Sequence, residues 1–281
     1  MTLSVFFYLL KRQAYIVRRW LRSISIKNGI YLTQDDKILA SLKKKHKGKR
    51  CFIIGNGPSL QISDLTKMAD NNDITIASNK IYLAFKETKW RPTYYTIGDL
   101  VVTENNSNKI KELDQLKLFP IFMKDIIGDS KHHNYNGEHL YFNPLSPKFQ
   151  NENYYIPYFS SDALIGFYIG ETVTNLNIQL AYYLGCNPIY LVGIDGSYHY
   201  PSSTTKHRVY GEVFVNFNEM NHFHKEYRQQ GETWSIPKPA YHEIDYQCCR
   251  NFLEKRNVTI LNASRRSYVK TFDRIDLDSI L

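Results

Sequence analysis

The sequence predicts an α/β fold in which a mostly parallel sheet carries helices on its faces. Three observations point there. Short runs dense in β-branched and aromatic residues recur without polar alternation, the pattern of strands covered on both sides. Each run ends in a turn rich in Gly, Asn or Asp, and a segment with helical spacing leads into the central run, Pro188-Ile189-Tyr190-Leu191-Val192. At the end of that run Gly193-Ile194-Asp195-Gly196 delivers Asp195, Ser197, Tyr198 and Tyr200 to the carboxyl edge of the sheet, where ligands of open α/β folds collect. The competing reading of Asp195 is a plain turn cap.

A chain of 281 residues buries one substantial core rather than two. Its formal net charge is +9, but 13 of the 36 Lys and Arg, and only two of the 27 Asp and Glu, fall in residues 1–50. The other 231 residues hold 23 basic and 25 acidic side chains, so the body is close to neutral and a nucleic-acid groove across it is not expected. Cys51, Cys186, Cys248 and Cys249 lack metal-ligand spacing, as do the nine His, and the cysteines read as reduced and mostly buried, as in a cytosolic protein. The division expected is a basic leader and linker over residues 1–48 and a globular body over 49–281.

In residues 3–24, at about 100° per residue, Phe6, Leu9, Leu10, Val17, Trp20, Leu21 and Ile24 fall opposite Lys11, Arg12, Arg18, Arg19 and Arg22. The apolar run is too short to cross a bilayer and no small-residue cleavage site follows. The helix is expected to lie on an anionic inner-leaflet surface, the alternative being a helix packed on the body or on a second subunit. Residues 43–50 are a cationic, solvated linker.

The first strand is Cys51-Phe52-Ile53-Ile54, followed at once by Gly55-Asn56-Gly57-Pro58-Ser59-Leu60. Glycines there let backbone approach a ligand, and Ser59 is placed to cap the next helix, whose amino end attracts phosphate. Neither the three-glycine dinucleotide fingerprint nor a P-loop Lys is complete. Ile74–Ala77 is the second strand, ending in Ser78-Asn79-Lys80, and Tyr94–Ile97 the third, ending in Gly98-Asp99. Asn56, Asn79 and Asp99 thus stand at three strand ends, suited to a nucleotide or, singly, to turns. Pro120–Met123 is the fourth strand expected, and residues 131–153 form a polar insert with no assigned structure. Glu171–Gly185 is a helix with Thr172 in its first turn and Gly185 beyond its end. Residues from about 200 to 240 are expected as a lid. Tyr241–Lys255 is a helix and Val258–Leu261 the last strand.

The order Ile-Ile-Gly-Asn-Gly-Pro-Ser-Leu from Ile53, then Ser78-Asn79-Lys80, then a helix running into Ile-Tyr-Leu-Val-Gly-Ile-Asp-Gly-Ser-Tyr from Ile189, then Asn251-Phe252-Leu253-Glu254-Lys255, resembles the bacterial sialyltransferases of glycosyltransferase family forty-two. It also resembles the broader group that shares a domain with the archaeal 6-hydroxymethylpterin diphosphokinases. The resemblance covers roughly residues 50–265. It implies a Rossmann-like sheet, a variant of the GT-A type, that binds a CMP-linked sugar and transfers it with inversion, using neither metal nor cofactor. Under it, Asn56 and Asn79 contact the nucleotide phosphate and ribose, Asp195 sits near the cytidine, and Tyr198 and Tyr200 donate to the leaving phosphate, where two phenols can stand in for a cation. Gly55, Gly57, Pro58, Ser59, Asp99, Thr172 and Gly193 complete the expected nucleotide-binding set.

The chain departs from the sialyltransferases at Gly170, where they carry Arg, and this unsettles recognition of a sialic acid carboxylate. Their catalytic His aligns with Tyr241, leaving His242 one residue away and His222 as candidate bases, since an imidazole near neutrality suits deprotonation of a hydroxyl. The expectation is a glycosyltransferase of surface polysaccharide or lipooligosaccharide synthesis, peripheral on the inner face of the cell membrane. Its partners would be a nucleotide-sugar donor and a glycan or lipid-linked glycan acceptor, with a homo-oligomer left open. The alternatives are an ATP- and Mg²⁺-dependent pyrophosphokinase of the pterin type, using carboxylates such as Asp99 and Asp195, and a membrane-docked scaffold without activity.

Overall fold

The computed structural model describes residues 21–281 apart from 22, 23, 27, 32, 128–137, 146–148, 151–154 and 219. The leader helix expected over residues 3–24 lies almost wholly outside the described residues. Leu21 and Ile24 are described, and both are exposed.

The strands in chain order are β1 (Cys51–Ile54), β2 (Ile74–Ser78), β3 (Tyr94–Thr96), β4 (Leu116–Pro120), β5 (His139–Phe142), β6 (Pro144–Leu145) and β7 (Phe149–Gln150). They continue with β8 (Tyr155–Ile156), β9 (Phe167–Tyr168), β10 (Ile189–Val192), β11 (Thr204–His207), β12 (Gly211–Val215), β13 (Thr233–Ser235) and β14 (Ile260–Asn262). The helices are α1 (Gln34–Leu42), α2 (Ile62–Asp70), α3 (Leu100–Lys111), α4 (Lys124–Ile127), α5 (Val173–Tyr183) and α6 (Pro239–Glu254).

Seven strands make one sheet in the order β14-β10-β1-β2-β3-β4-β5, and every pair in it is parallel. The apolar runs of β1 and β2 are buried along their whole length, as the missing alternation requires. Ile53, Ile76, Tyr94 and Leu191 pack on one face with Leu176 and Leu180 of α5 and Leu253 of α6. Phe52, Ile54, Tyr95 and Val192 pack on the other with Leu65 and Met68 of α2 and Ile110 of α3. From β1 the chain first builds outward through β2 to β5 and then returns to lay β10 on the opposite side. The boundary between β1 and β10 is therefore the switch point of the sheet, and its carboxyl end opens a crevice.

Several expectations are corrected. The fourth strand is β4, four residues earlier than Pro120–Met123, which is instead a 3₁₀ turn from Ile121. Buried Lys117 breaks the apolar run of β4, and its Nζ is satisfied by the carbonyls of Leu113 and Gln115. The unassigned insert contributes β5, which closes one edge of the sheet. Residues 43–48 are not a free linker: the amides of Lys44, His46 and Gly48 donate to the carbonyls of Tyr183, Leu184 and Gly185 at the end of α5. Leu39 and Leu42 of α1 join the core, so the body begins by Gln34 rather than at residue 49. The lid region is a three-stranded antiparallel sheet, β11-β12-β13.

Candidate active site

Two loops meet at the switch point. The loop after β1 begins at Gly55 and the loop after β10 at Gly193, and they bond directly: Gly55 N–H donates to Val192 O at 2.7 Å and Gly57 N–H to Gly193 O at 2.9 Å. A Cβ on Gly55 would stand 2.3 Å from Gly193 O, and one on Gly57 would stand 2.6 Å from Asp195 Cγ. Neither position admits a Cβ: Gly193 backbone crowds Gly55, and the Asp195 side chain crowds Gly57. Ser59 does not cap α2, whose N-cap is Gln61. Its N–H donates to Asp195 Oδ2 at 2.9 Å and its hydroxyl to Asp195 Oδ1. Asp195 is thus the tie between the loops. Burial pushes its carboxyl up while the Ser59 donors pull it back.

Beside this tie lies a cleft of about 380 Å³. Gly55, Asn56, Gly57, Asn79, Thr172, Gly193, Asp195, Tyr198, His222 and His242 line it together. Asn56 is oriented by its Nδ2 donating to Ser78 O at 3.1 Å, leaving Oδ1 buried without a partner. Asn79 takes the left-handed region at φ 56°, its carbonyl receives the Tyr95 hydroxyl at 2.7 Å, and its Oδ1 is also without a partner. Thr172 caps α5 by accepting from Thr174 N at 3.3 Å.

His242, in the first turn of α6, is buried, and burial holds its pKa below the ordinary imidazole value. Its ring bonds the backbone of Glu171, and Nε2 has no partner. That pairing favours the neutral tautomer with the proton on Nδ1 and a lone pair on Nε2. The Tyr198 ring stands 6.1 Å from it, with its phenol pushed up to about 12 by burial and by Tyr200. His222 stacks flat on Tyr227 at 3.6 Å.

Four predicted residues fall elsewhere. Asp99 caps α3 by accepting from the amides of Val101 and Val102 and does not line the cleft. Tyr200 is exposed, packed at 6.3 Å from Tyr198 and 5.8 Å from Phe214, also outside the lining. Pro58 and Ser59 line a neighbouring pocket of about 330 Å³ that shares Asp195, Ser197 and Asn221 with the cleft.

Two groups went unread in the sequence. Lys80, next to Asn79, is buried and pairs with both oxygens of Glu232 at 2.6 and 2.8 Å, fastening the lid sheet to the end of β2. Asp245 is fully buried one turn after His242, a spacing that could have flagged it. It accepts from Tyr155 at 2.7 Å and from Glu171 N–H at 2.9 Å. Burial nonetheless raises its carboxyl from 3.8 to about 6. Folding therefore favours the protonated form. Its contribution to stability is full below pH 3.8 and is lost as the pH rises through 6, a change of about 3 kcal/mol. His242 acts oppositely, its contribution being lost on acidification. In chemical denaturation at pH 4 and pH 7, Asp245→Asn is expected to gain stability relative to the unaltered chain over that interval. Parallel curves would show that Asp245 does not titrate there.

No curated protein matches the chain. Among solved structures it is similar to the MAf glycosyltransferase from Magnetospirillum magneticum AMB-1, at 15% identity and a TM-score of 0.50. That match covers 90% of this chain and 40% of the other, so the chain spans two fifths of that protein's length, and the likeness is one of fold. The model of the 6-hydroxymethylpterin diphosphokinase MptE-like family matches residues 26–201, from before α1 to beyond the loop that carries Asp195 and Tyr198. The chain belongs to this MptE-like family.

Proposed function

We propose that the chain is an inverting glycosyltransferase that takes a nucleotide-activated sugar, with CMP the favoured nucleotide and a sialic-acid-like sugar the favoured donor group. The observation that carries this reading is the set of three buried acceptors without partners, Asn56 Oδ1, Asn79 Oδ1 and His242 Nε2, in the wall of one cleft at the switch point. A buried polar atom left bare costs about 1–3 kcal/mol. Ribose and sugar hydroxyls, which bring donors, relieve that cost. In the reaction His242 Nε2 takes the proton of the acceptor hydroxyl as its oxygen attacks the anomeric carbon, and the sugar-to-phosphate C–O bond breaks with its electron pair going to the nucleotide. Tyr198, protonated at neutral pH, donates to the departing phosphate oxygen, with Lys270 in the same wall as the nearby cation. Tyr200 stands outside the lining, so this role falls to one phenol rather than two.

The pyrophosphokinase reading is less well supported. Asp99 is engaged by the first amides of α3 and Asp195 by Ser59, and among the described residues no three His, Cys, Asp or Glu gather as a metal site. Gly170 cannot be exchanged for the sialyltransferase Arg, because a Cβ there would stand 2.5 Å from Asp245 Oδ2. A carboxylate on the sugar would need another cation. The acceptor is a surface glycan or lipid-linked glycan. The cationic leader supports a position on the inner face of the membrane, and no described helix is long and apolar enough to cross one.

Calorimetric titration of CMP, CDP, UDP and GDP into the full chain is expected to show binding by at least one nucleotide without added metal; binding by none overturns the reading. His242→Ala is expected to keep that binding and to lower turnover by about 10²–10⁴-fold. If His222→Ala alone has that effect, the base is His222.

A further inference from the structure

We propose that Asp245 is a positioning residue for the base, acting through the backbone of Glu171 to hold the His242 ring in the tautomer that leaves Nε2 free to take a proton. The inference rests on the reading of His242 as that base.

His242 and Asp245 lie one turn apart on α6 and so share a side of the helix. Both reach residue 171. Its N–H donates to Asp245 Oδ2 at 2.9 Å, and its backbone is also what bonds the His242 ring. A backbone bond raises the pKa of an imidazole when the carbonyl accepts from the ring N–H, so Glu171 is gripped by its N–H on one side and offers its C=O on the other. Residue 171 can sit this close to α6 because residue 170 is glycine. Gly170 takes φ 68°, and a Cβ on it would stand 2.5 Å from Asp245 Oδ2 and 2.7 Å from Asn175 Nδ2. The second oxygen of Asp245 accepts from Tyr155, whose hydroxyl also meets that of Tyr168. A carboxylate held from β8, β9 and the loop before α5 has one geometry, and it imposes that geometry on the carbonyl that orients the base.

A fully buried carboxylate is costly, and an apolar residue of the same size would pack the helix at least as well. What such a residue lacks is an acceptor for the Glu171 N–H. The charged and titratable groups around Asp245 are Tyr155 and Tyr168 from the short strands, Glu171 with Lys238 at 3.2 Å from its carboxylate, and Tyr246 and Cys249 on α6 itself. The carboxyl stands at about 6, so its titration can be followed in the folded chain.

The test reads the ring nitrogens of His242 by ¹⁵N NMR in the full chain and needs no substrate, so failure of nucleotide binding and failure of this role are read separately. In the unaltered protein the neutral ring is expected as one tautomer, protonated on Nδ1. Asp245→Asn keeps an oxygen for the Glu171 N–H while the Tyr155 hydroxyl turns to accept from the new amide, and it is expected to keep that tautomer. Asp245→Leu removes the acceptor and is expected to give a mixture of both neutral tautomers with a shifted His242 pKa. If the leucine chain does not fold, the unaltered chain carries the test: the Glu171 amide proton and the His242 ring nitrogens should both register a step as Asp245 titrates near pH 6, apart from the ring's own. A single unchanged tautomer in Asp245→Leu, or ring nitrogens blind to the Asp245 step, overturns the proposal.

Discussion

Replacing Glu232 with alanine is expected to lower the stability of the protein by about 3–5 kcal/mol, the cost of leaving one member of a buried ion pair without its partner. The Lys80 and Glu232 side chains are only 5% and 8% exposed, and the ammonium lies 2.6 and 2.8 Å from the two carboxylate oxygens. Lys80 is also 5.8 Å from the centre of the Tyr227 ring, and Glu232 accepts from Gln229 N–H at 2.9 Å, so the pair is the hub that fastens the lid sheet to β2. Chemical denaturation measures the loss. The double change Lys80→Met with Glu232→Leu should recover most of it, because two apolar side chains leave no orphaned charge. A double variant as unstable as Glu232→Ala would place the loss in packing rather than in the ammonium's loss of Glu232. Nucleotide affinity should fall in the single variant as well, since Asn79 is the neighbour of Lys80 in the cleft wall.

Gly55→Ala is the second large effect expected. The added methyl meets Gly193 O at 2.3 Å and Ile194 Cδ1 at 2.4 Å, and the first of these is backbone, which cannot rotate away. Overpacking of this kind costs about 1–3 kcal/mol. The larger consequence is geometric. Relief requires the two loops to part, which stretches the Gly57-to-Gly193 bond and the hold of Ser59 on Asp195. Thermal melting and nucleotide titration on the same sample are expected to show a moderate drop in stability together with loss of binding. Full binding in a folded Gly55→Ala chain would show that contact between the loops does not shape the cleft.

The covered strands were legible in the sequence because short runs such as Cys-Phe-Ile-Ile or Ile-Tyr-Leu-Val, rich in β-branched and aromatic residues and bounded by turn residues, are too short for a helix and lack the alternation of a half-exposed strand. The β4 strand was not, because Lys117 sits within it and is satisfied by carbonyls that no pattern of side chains announces. Asn56, Asn79, Asp195 and Tyr198 were found from their place at strand ends, and the structure brings them to one cleft. Asp99 stands at a strand end too, but an Asp before a helix is drawn to the free amides of its first turn. Tyr200 lies two residues beyond Tyr198, where the chain has left the sheet edge and no period fixes the direction of a side chain. The partners of Asp195 and His242, Ser59 and Glu171, come from distant parts of the chain, and such pairings are decided by tertiary packing alone.

The sheet order also has a consequence for how the chain comes to work. Cys51 of β1 lies beside Ile189 of β10, residues 138 apart in the sequence, so the crevice between them is closed by one of the most distant pairings in the molecule. Closing so long a loop costs entropy before it returns any contact. A chain still emerging during synthesis, or cut before β10, has the first glycine turn but nothing to lay it against. Ligand capture would then report that β10 has been laid against β1, since no fragment that ends before β10 contains both walls.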